Sequence, residues 1–243
     1  MTEAFKEKFR RELNLLSVKL EENQLNKFYD YFQLLVEWNE FMNLTAITEM
    51  NEVITKHFVD SLSLIKAVSG IGENEYKIID VGTGAGFPGI PLKIAFPNLK
   101  ITLMDSLNKR VNFLNEVIGR LGLENIEAIH GRAEDLGRDV RYREQYDFCV
   151  SRAVANLSTL SEYCMPFVKV GGFFIPYKSG KIEEELETAK HAVFLLSGKV
   201  EEVETFLLPG TEAERSLVKI VKNSAISKKY PRKAGLPTKD PLK

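Results

Sequence analysis

Residues 78–91 read IIDVGTGAGFPGIP. With Lys77 before it, Ile78-Ile79-Asp80-Val81 is a short apolar, β-branched run of the kind that forms a buried parallel strand. It ends in Gly82, Gly84 and Gly86, after which apolar residues return at helical spacing through Ile90, Leu92, Ile94 and Phe96. Strand, glycine-rich turn, helix is the order that brings bare backbone close to a nucleotide-like ligand. Asp105 closes the next apolar run, Ile101-Thr102-Leu103-Met104, where a carboxylate can accept from both hydroxyls of a ribose. A glycine-rich turn by itself also serves as a plain tight connection. The strand before it, the helix after it and an acid some twenty residues on favour a ligand.

The spacing also bears on which ligand. A dinucleotide fingerprint wants a third glycine three residues after the second, and Phe87 stands there. Asp80 sits on the strand just ahead of the glycines, where it would repel a pyrophosphate. A ligand with an amino-acid end and a positive sulfonium is the better electrostatic match. The pattern Asp-x-Gly-x-Gly-x-Gly from Asp80 to Gly86 resembles that of S-adenosylmethionine-dependent methyltransferases.

Outward from this stretch the chain divides by pattern. Residues 1–72 carry no strand signal and read as a helical extension. Phe5, Phe9, Leu13, Leu16 and Leu20 share one helical face, and Leu25, Phe28, Phe32 and Leu35 share another. Turn-forming residues interrupt from Asn39 to Thr48, and a third helix is expected from Asn51, with Ile54, Phe58, Leu62 and Ile65 as its buried stripe. The plain expectation is a helical layer covering one end of a sheet. Within it Trp38, Asn39, Asn43 and Thr45 suit base recognition, although Asn also simply favours turns. His57 and Asp60 either share a helix face near the ligand or form an ordinary partly buried pair. Ser69 to Asn74 is the expected boundary.

Over residues 73–222 strands and helices alternate, which implies a parallel sheet with helices on both faces. Strands are expected at Lys77–Val81, Lys100–Met104, Ile126–His130, Tyr146–Val150, Phe173–Tyr177, Val200–Leu208 and Ser216–Val221, the last two antiparallel. Helices are expected at Ser106–Leu121, at Leu157–Val168 leading into Gly171-Gly172, and around Glu183–Leu196. Residues 223–243 form a basic tail. From Lys222 to Lys243 there are seven Lys or Arg, three Pro and the single acid Asp240. It reads as an irregular, solvated segment, either a mere surface tail or a strip contacting phosphates.

Composition bounds the class. The chain has 243 residues and a formal net charge of −1, which argues against a protein that coats nucleic acid but allows a local basic patch. No segment approaches the roughly eighteen uninterrupted apolar residues of a membrane span. Charges near Met1 stand where a leader needs an apolar core. Two cysteines, Cys149 and Cys164, suggest a reducing compartment, and the cytoplasm is expected. His57, His130 and His191 stand apart with no ligand spacing, so no metal is expected.

A ligand on a parallel sheet crosses the carboxyl ends of the strands. Gly82, Gly84 and Gly86 would give the methionine end room, Asp105 would take the ribose, Ala133 and Glu134 would flank the adenine, and Phe87 would pack against the cofactor. Ser151-Arg152 at the tip of the fourth strand faces the acceptor, and Arg152 is the positioning candidate, since a buried Arg there is costly unless paired or ligand-facing. Absences narrow the acceptor. The Asp/Asn-Pro-Pro-Tyr/Phe motif of exocyclic-amine methylation is replaced by Ser151-Arg152-Ala153-Val154. Cys149 and Cys164 read as packing residues rather than nucleophiles. A ring nitrogen with a free lone pair fits, because no proton must leave first and no dedicated base is needed.

The sequence then resembles a known family along nearly its whole length, the bacterial glucose-inhibited division protein B or methyltransferase G family. The carriers are Leu35-Val36-Glu37-Trp38-Asn39 with Asn43-Leu44-Thr45, His57-Phe58-Val59-Asp60-Ser61, and Asp80 to Pro88. Others are Asp105-Ser106-Leu107-Asn108-Lys109-Arg110, Arg132-Ala133-Glu134, Ser151-Arg152-Ala153, and Lys229-Tyr230-Pro231-Arg232-Lys233. The resemblance implies a Rossmann-like, seven-stranded class I α/β methyltransferase domain. It also implies methyl transfer from S-adenosylmethionine to the 7-nitrogen of a guanine in 16S ribosomal RNA. Its cofactor contacts carry over to Gly82, Phe87, Ala133, Glu134 and Arg152. The cofactor-binding set is then Gly82, Gly84, Phe87, Asp105, Ala133, Glu134 and Arg152. The RNA-contact set is Asn39, Lys178, Lys228, Lys229, Arg232 and Lys233. A monomer acting on 16S ribosomal RNA or the small subunit is expected. The alternatives are a non-catalytic RNA-binding assembly factor, a methyltransferase on a small molecule or protein, and, weakly, a nicotinamide oxidoreductase.

Overall fold

The alternation after Lys77 builds one seven-stranded sheet. The computed structural model describes residues 1–152 and 155–243, and Ala153 and Val154, named above with the fourth strand's tip, lie outside the described residues. The strands are β1 (Lys77–Val81), β2 (Lys100–Asp105), β3 (Ile126–His130), β4 (Tyr146–Ser151), β5 (Val168–Ser179), β6 (Gly198–Leu207) and β7 (Glu214–Lys222). The helices are α1 (Glu3–Leu15), α2 (Glu22–Met42), α3 (Met50–Val53), α4 (Asp60–Leu62), α5 (Gly89–Ala95), α6 (Asn108–Arg120), α7 (Ala133–Leu136), α8 (Leu157–Cys164), α9 (Glu183–Leu195) and α10 (Leu236–Lys239).

Spatial order is β3-β2-β1-β4-β5-β7-β6. β1 to β5 pair in parallel, and β7 runs antiparallel to both β5 and β6. The order reverses between β1 and β4, and connections leaving in opposite directions open a crevice beyond their carboxyl ends. Successive residues of each strand face opposite layers. Ile78, Leu103, Phe148 and Ile175 belong to one core, while Ile79, Met104, Cys149 and Phe174 belong to the other.

The first 66 residues complete the first of these layers. Thr2 caps α1 by accepting from the Phe5 N–H, and Glu21 with Gln24 forms a reciprocal cap on α2. Residues 50–66 form one continuous helical run, widened to a π-turn over Ile54–Val59 and tightened to a 3₁₀ turn over Ser63–Lys66. Its stripe of Ile54, Phe58 and Leu62 is fully buried. This layer does more than cover a sheet end. Phe5, Phe28 and Phe58 share a single core with Ile90 and Leu114, so the expected boundary at Ser69–Asn74 is a turn rather than a break in packing. Wide helical turns recur at functional sites, and this one carries His57.

Other expectations change in detail. α2 runs on to Met42, so Asn39 is helical, and the reversal comes at Asn43, whose φ of 49° ends the helix. Gly171-Gly172 does not precede β5 but lies within it. Gly171 takes φ 81° where the pairing of β4 with β5 shifts register, and a Cβ on Gly172 would meet the Asp147 carbonyl at 2.6 Å. That is a bulge, for which a glycine pair is suited. α8 stops at Cys164, and a 3₁₀ turn containing Pro166 leads directly into β5. The tail is docked, with Ile226, Tyr230, Pro231 and Pro237 buried. Arg138 and Arg143 hold it by donating to the main-chain carbonyls of Ile226, Lys229, Tyr230 and Pro231. Main-chain acceptors leave no trace in composition, which is why the tail reads as solvated. Among the described residues no helix is long and apolar enough to cross a membrane.

Candidate functional site

Two cavities open at the carboxyl ends of the strands, on either side of the chain leaving β4. The first, about 340 Å³, is lined by Gly82 after β1, Asp105 at the end of β2, Ala133 and Glu134 on α7, and Tyr163 on α8. Asp105 is buried, and its carboxylate ties three segments together. Oδ1 accepts from Leu107 N (2.9 Å), while Oδ2 accepts from Gly84 N (3.0 Å) and more weakly from Arg110 Nη1 (3.3 Å). A carboxylate offers roughly four acceptor positions. One ribose hydroxyl can therefore be accepted outright, and a second displaces the long Arg110 contact.

The three motif glycines divide by role. A Cβ on Gly84 would meet nothing within 4 Å, so open space adjoins the loop there. A Cβ on Gly86 would meet Ile90 Cδ1 at 2.5 Å and the Tyr31 hydroxyl at 2.7 Å. Gly86, expected to make room for a ligand, instead admits the N-terminal layer, whose Tyr31 donates its hydroxyl hydrogen to the Ala85 carbonyl. Asp80 is fully buried beside them. Its Oδ2 accepts from Thr83 Oγ1 (2.6 Å) and Gly89 N (2.8 Å), whereas Oδ1 has no partner among the described residues. Burial pushes its pKa up to about 6, against the pull of those two hydrogen bonds and of Arg152. A buried carboxylate oxygen without a hydrogen-bond partner is one that a cationic ligand would satisfy.

The second cavity, about 600 Å³, is organised by Arg152. The guanidinium donates to the Lys56 carbonyl (3.1 Å) and Asp60 Oδ2 (2.9 Å), lies 3.2 Å from His57 Nδ1, and stands 5.1 Å above the Phe87 ring. The half-buried strand-tip arginine is thus paired, and its side-chain partners are His57 of the π-turn and Asp60 of the α-helical turn that follows it. Phe87 is the floor of this group rather than part of the first cavity's lining: the His57 ring stacks on it at 4.4 Å. Burial, then the positive charge of Arg152, lowers the His57 pKa to about 3, so the imidazole is neutral and a poor proton acceptor at neutral pH. Thr45 Oγ1 lies 2.9 Å from His57 Nε2, and Asn39 fixes Thr45 by accepting from its N–H. Asn39 thereby supports the site from behind, and Trp38 packs on Phe113 and Phe41. Ala155 lines both cavities, so they adjoin just past the tip of β4.

Two cations of the second cavity complete it. Lys178 donates to the Ala155 carbonyl (2.8 Å) and Glu185 (2.7 Å). Arg215, which sequence reasoning missed, donates from Nε to Asp60 Oδ1 (2.9 Å). Nothing local marks Arg215; it reaches the site because β7 pairs with β5 so that Arg215 lies opposite Ser179. In the tail, Lys228, Lys229 and Lys233 are exposed as expected. Arg232 is not. It makes a paired ion bridge with Glu162 of α8, which is fully buried, so its charge is neutralised inside the protein. Cys149 and Cys164 are both buried and free, and burial above all raises the Cys149 thiol pKa. Among the described residues no group of His, Cys, Asp and Glu could hold a metal.

A family model described as rRNA small subunit methyltransferase G matches residues 24–218. The protein of that name from Lachnoclostridium phytofermentans is 58% identical over 231 residues, covering 95% of this chain and 94% of its own. That of Brevibacillus brevis is 50% identical over 237 residues, covering 98% and 99%. Among solved structures, M. jannaschii TYW2 in complex with AdoMet is similar at 18% identity and a TM-score of 0.52, over 67% of this chain and 76% of that one. MtNAS in complex with MTA and tNA is similar at 14% identity and a TM-score of 0.54, over 80% and 69%. These structural likenesses concern the fold.

Proposed function

The chain belongs to the rRNA small subunit methyltransferase G family, and from that premise we propose that it transfers a methyl group from S-adenosylmethionine to the 7-nitrogen of a guanine in small-subunit (16S) ribosomal RNA. The observation that carries the reading is the pair of adjoining cavities meeting at Ala155. One presents the Asp105 carboxylate beside Gly82, Ala133 and Glu134, and the other carries Arg152, Arg215 and Lys178 with their partners Asp60 and Glu185. The unpaired Oδ1 of Asp80 and the open space at Gly84 fit the cofactor. When bound, S-adenosylmethionine supplies an electrophilic methyl group on a sulfonium. Asp80 balances the positive charge, and the Asp105-held loop sets the ribose. Arg152 orients what enters the second cavity. A guanine 7-nitrogen has a free lone pair, so no proton must leave, and a neutral, weakly basic His57 fits a site that works by alignment. The test is labelled transfer from S-adenosylmethionine to unmodified small subunits, naked RNA and a protein mixture. Label in one RNA guanine supports the reading, whereas cofactor binding without RNA label points to the small-molecule or non-catalytic alternatives.

Asp80 gives a pH dependence. Below about pH 6 the free protein holds a proton on Asp80 that a cationic cofactor must expel. Cofactor affinity is expected to climb by up to about tenfold per pH unit as pH rises towards 6, and to level above it. Calorimetry from pH 5 to 8 checks this, and Asp80→Asn removes the slope. For the unliganded chain the sign is opposite. Folded Asp80 retains a proton that the unfolded chain, at a pKa of 3.8, has lost, so its contribution to stability declines as pH rises through that window.

The exposed tail lysines are proposed as phosphate contacts. Replacing Lys228, Lys229 and Lys233 by Gln is expected to weaken RNA binding and make its salt dependence shallower by about 2 in the log–log slope. An unchanged slope returns the tail to a surface with no RNA role.

A further inference from the structure

The tail does more than carry lysines. Gly235 lines the first cavity, and its N–H donates to Glu134 Oε1 at 2.8 Å. Three residues on, Thr238 Oγ1 shares a 2.7 Å hydrogen bond with the hydroxyl of Tyr163, another residue of that cavity's lining. Between them the carbonyl of Pro237, itself buried, accepts from Thr159 Oγ1 (3.0 Å). Two cavity side chains on different helices are therefore held by one short stretch of tail. That stretch is in turn held by Arg232, whose guanidinium and main-chain N–H both donate to Glu162, a carboxylate with 0% exposure. Arg232 is the hydrogen-bond partner of this buried carboxylate among the described residues, and that pairing keeps the clasp shut. Lys233, Ala234, Gly235 and Leu236 stay exposed above it, so the stretch lies over the cavity as a strap rather than inside the core. It lies wholly beyond residue 218, where the match to the family model ends.

We propose that residues 226–240 are a strap forming one wall of the cofactor site, with Arg232 and Glu162 as its clasp and Gly235 and Thr238 as the groups that position Glu134 and Tyr163. Arg232 is on this account a positioning residue. The inference rests on the reading of the first cavity as the S-adenosylmethionine site. Its physical content is a linkage: a ligand whose pocket includes the docked strap favours the docked strap, and an undocked strap weakens the ligand by the same factor.

The test uses the full chain. Trypsin cleavage after Lys233, followed by mass of the released C-terminal fragment, is measured with and without S-adenosylmethionine. Cofactor affinity is measured by calorimetry on the unaltered chain and on the pair Arg232→Ala with Glu162→Gln, in which no buried charge is left unpaired. Slower cleavage in the presence of cofactor, and roughly tenfold weaker binding by the paired variant, are expected. A merely structural clasp would lower the melting temperature of the variant without making cleavage of the unaltered chain depend on cofactor. Binding with unchanged cleavage, or a variant that binds as tightly as the unaltered chain, overturns the strap alone. Failure of the unaltered chain to bind overturns the cofactor reading, and the strap with it.

Discussion

Arg152→Ala is expected to reduce methyl transfer to RNA at least about 100-fold. The side chain makes three polar contacts, to the Lys56 carbonyl, Asp60 and His57, and lies over Phe87. It lines the second cavity, close to Ala155 where the two cavities adjoin, and if the acceptor binds there an error of about 1 Å in its position is worth a factor of that size. Truncation also leaves Asp60, nearly fully buried, with Arg215 as its remaining side-chain partner. The loss of one donor to a buried carboxylate costs about 2–3 kcal/mol, which for a chain of this size lowers the melting temperature by about 5–10 °C. Arg152→Lys is not expected to restore activity, because one ammonium cannot span acceptors that a planar guanidinium bridges from two nitrogens. Single-turnover transfer to unmodified small subunits separates the two effects. A variant that folds and methylates at the normal rate would remove Arg152 from the reaction.

Asp105→Ala is expected to weaken cofactor binding by about 100-fold, the equivalent of two hydrogen bonds to a charged acceptor. The carboxylate is the only described group that holds the Gly84 N–H, the Leu107 N–H and Arg110 together. Without it the loop after β1 and the start of α6 lose their common anchor. Asp105→Asn keeps the shape but turns an amide donor toward groups that themselves donate, so it is expected to rescue little. Calorimetric titration with S-adenosylmethionine is the measurement, and unchanged affinity in both variants would place the ribose elsewhere.

Much of this is legible in residue order because it is local. β1, the glycine turn and Asp105 lie within thirty residues, and strand-turn-helix geometry follows from period and glycine placement. Arg152 is legible for a different reason: an arginine next to a buried strand needs a partner, whatever that partner is. What stays hidden depends on groups brought together by the finished fold. Arg215 meets Asp60 across 155 residues, and Arg232 meets Glu162 across 70. A positive charge in a polar tail reads the same whether its carboxylate is in reach or not, so Arg232 reads as a phosphate contact. Gly86 misleads similarly. Three alternating glycines look equivalent in the chain, and only the approach of Tyr31 and Ile90 separates the one that admits packing from the one that leaves space.

Asp60 also sets an order of events. Its two arginines come from β4's tip and from β7, 92 and 155 residues later in the chain. Helices near the N-terminus leave the ribosome first and close local contacts quickly, whereas contacts of such long separation must wait for the chain and overcome the entropy of loop closure. A nascent chain halted before β7 can therefore bury the Asp60 carboxylate against no more than one of its two countercharges. The second cavity gains its Arg215 wall only after β7 has paired with β5, later than any of its other walls.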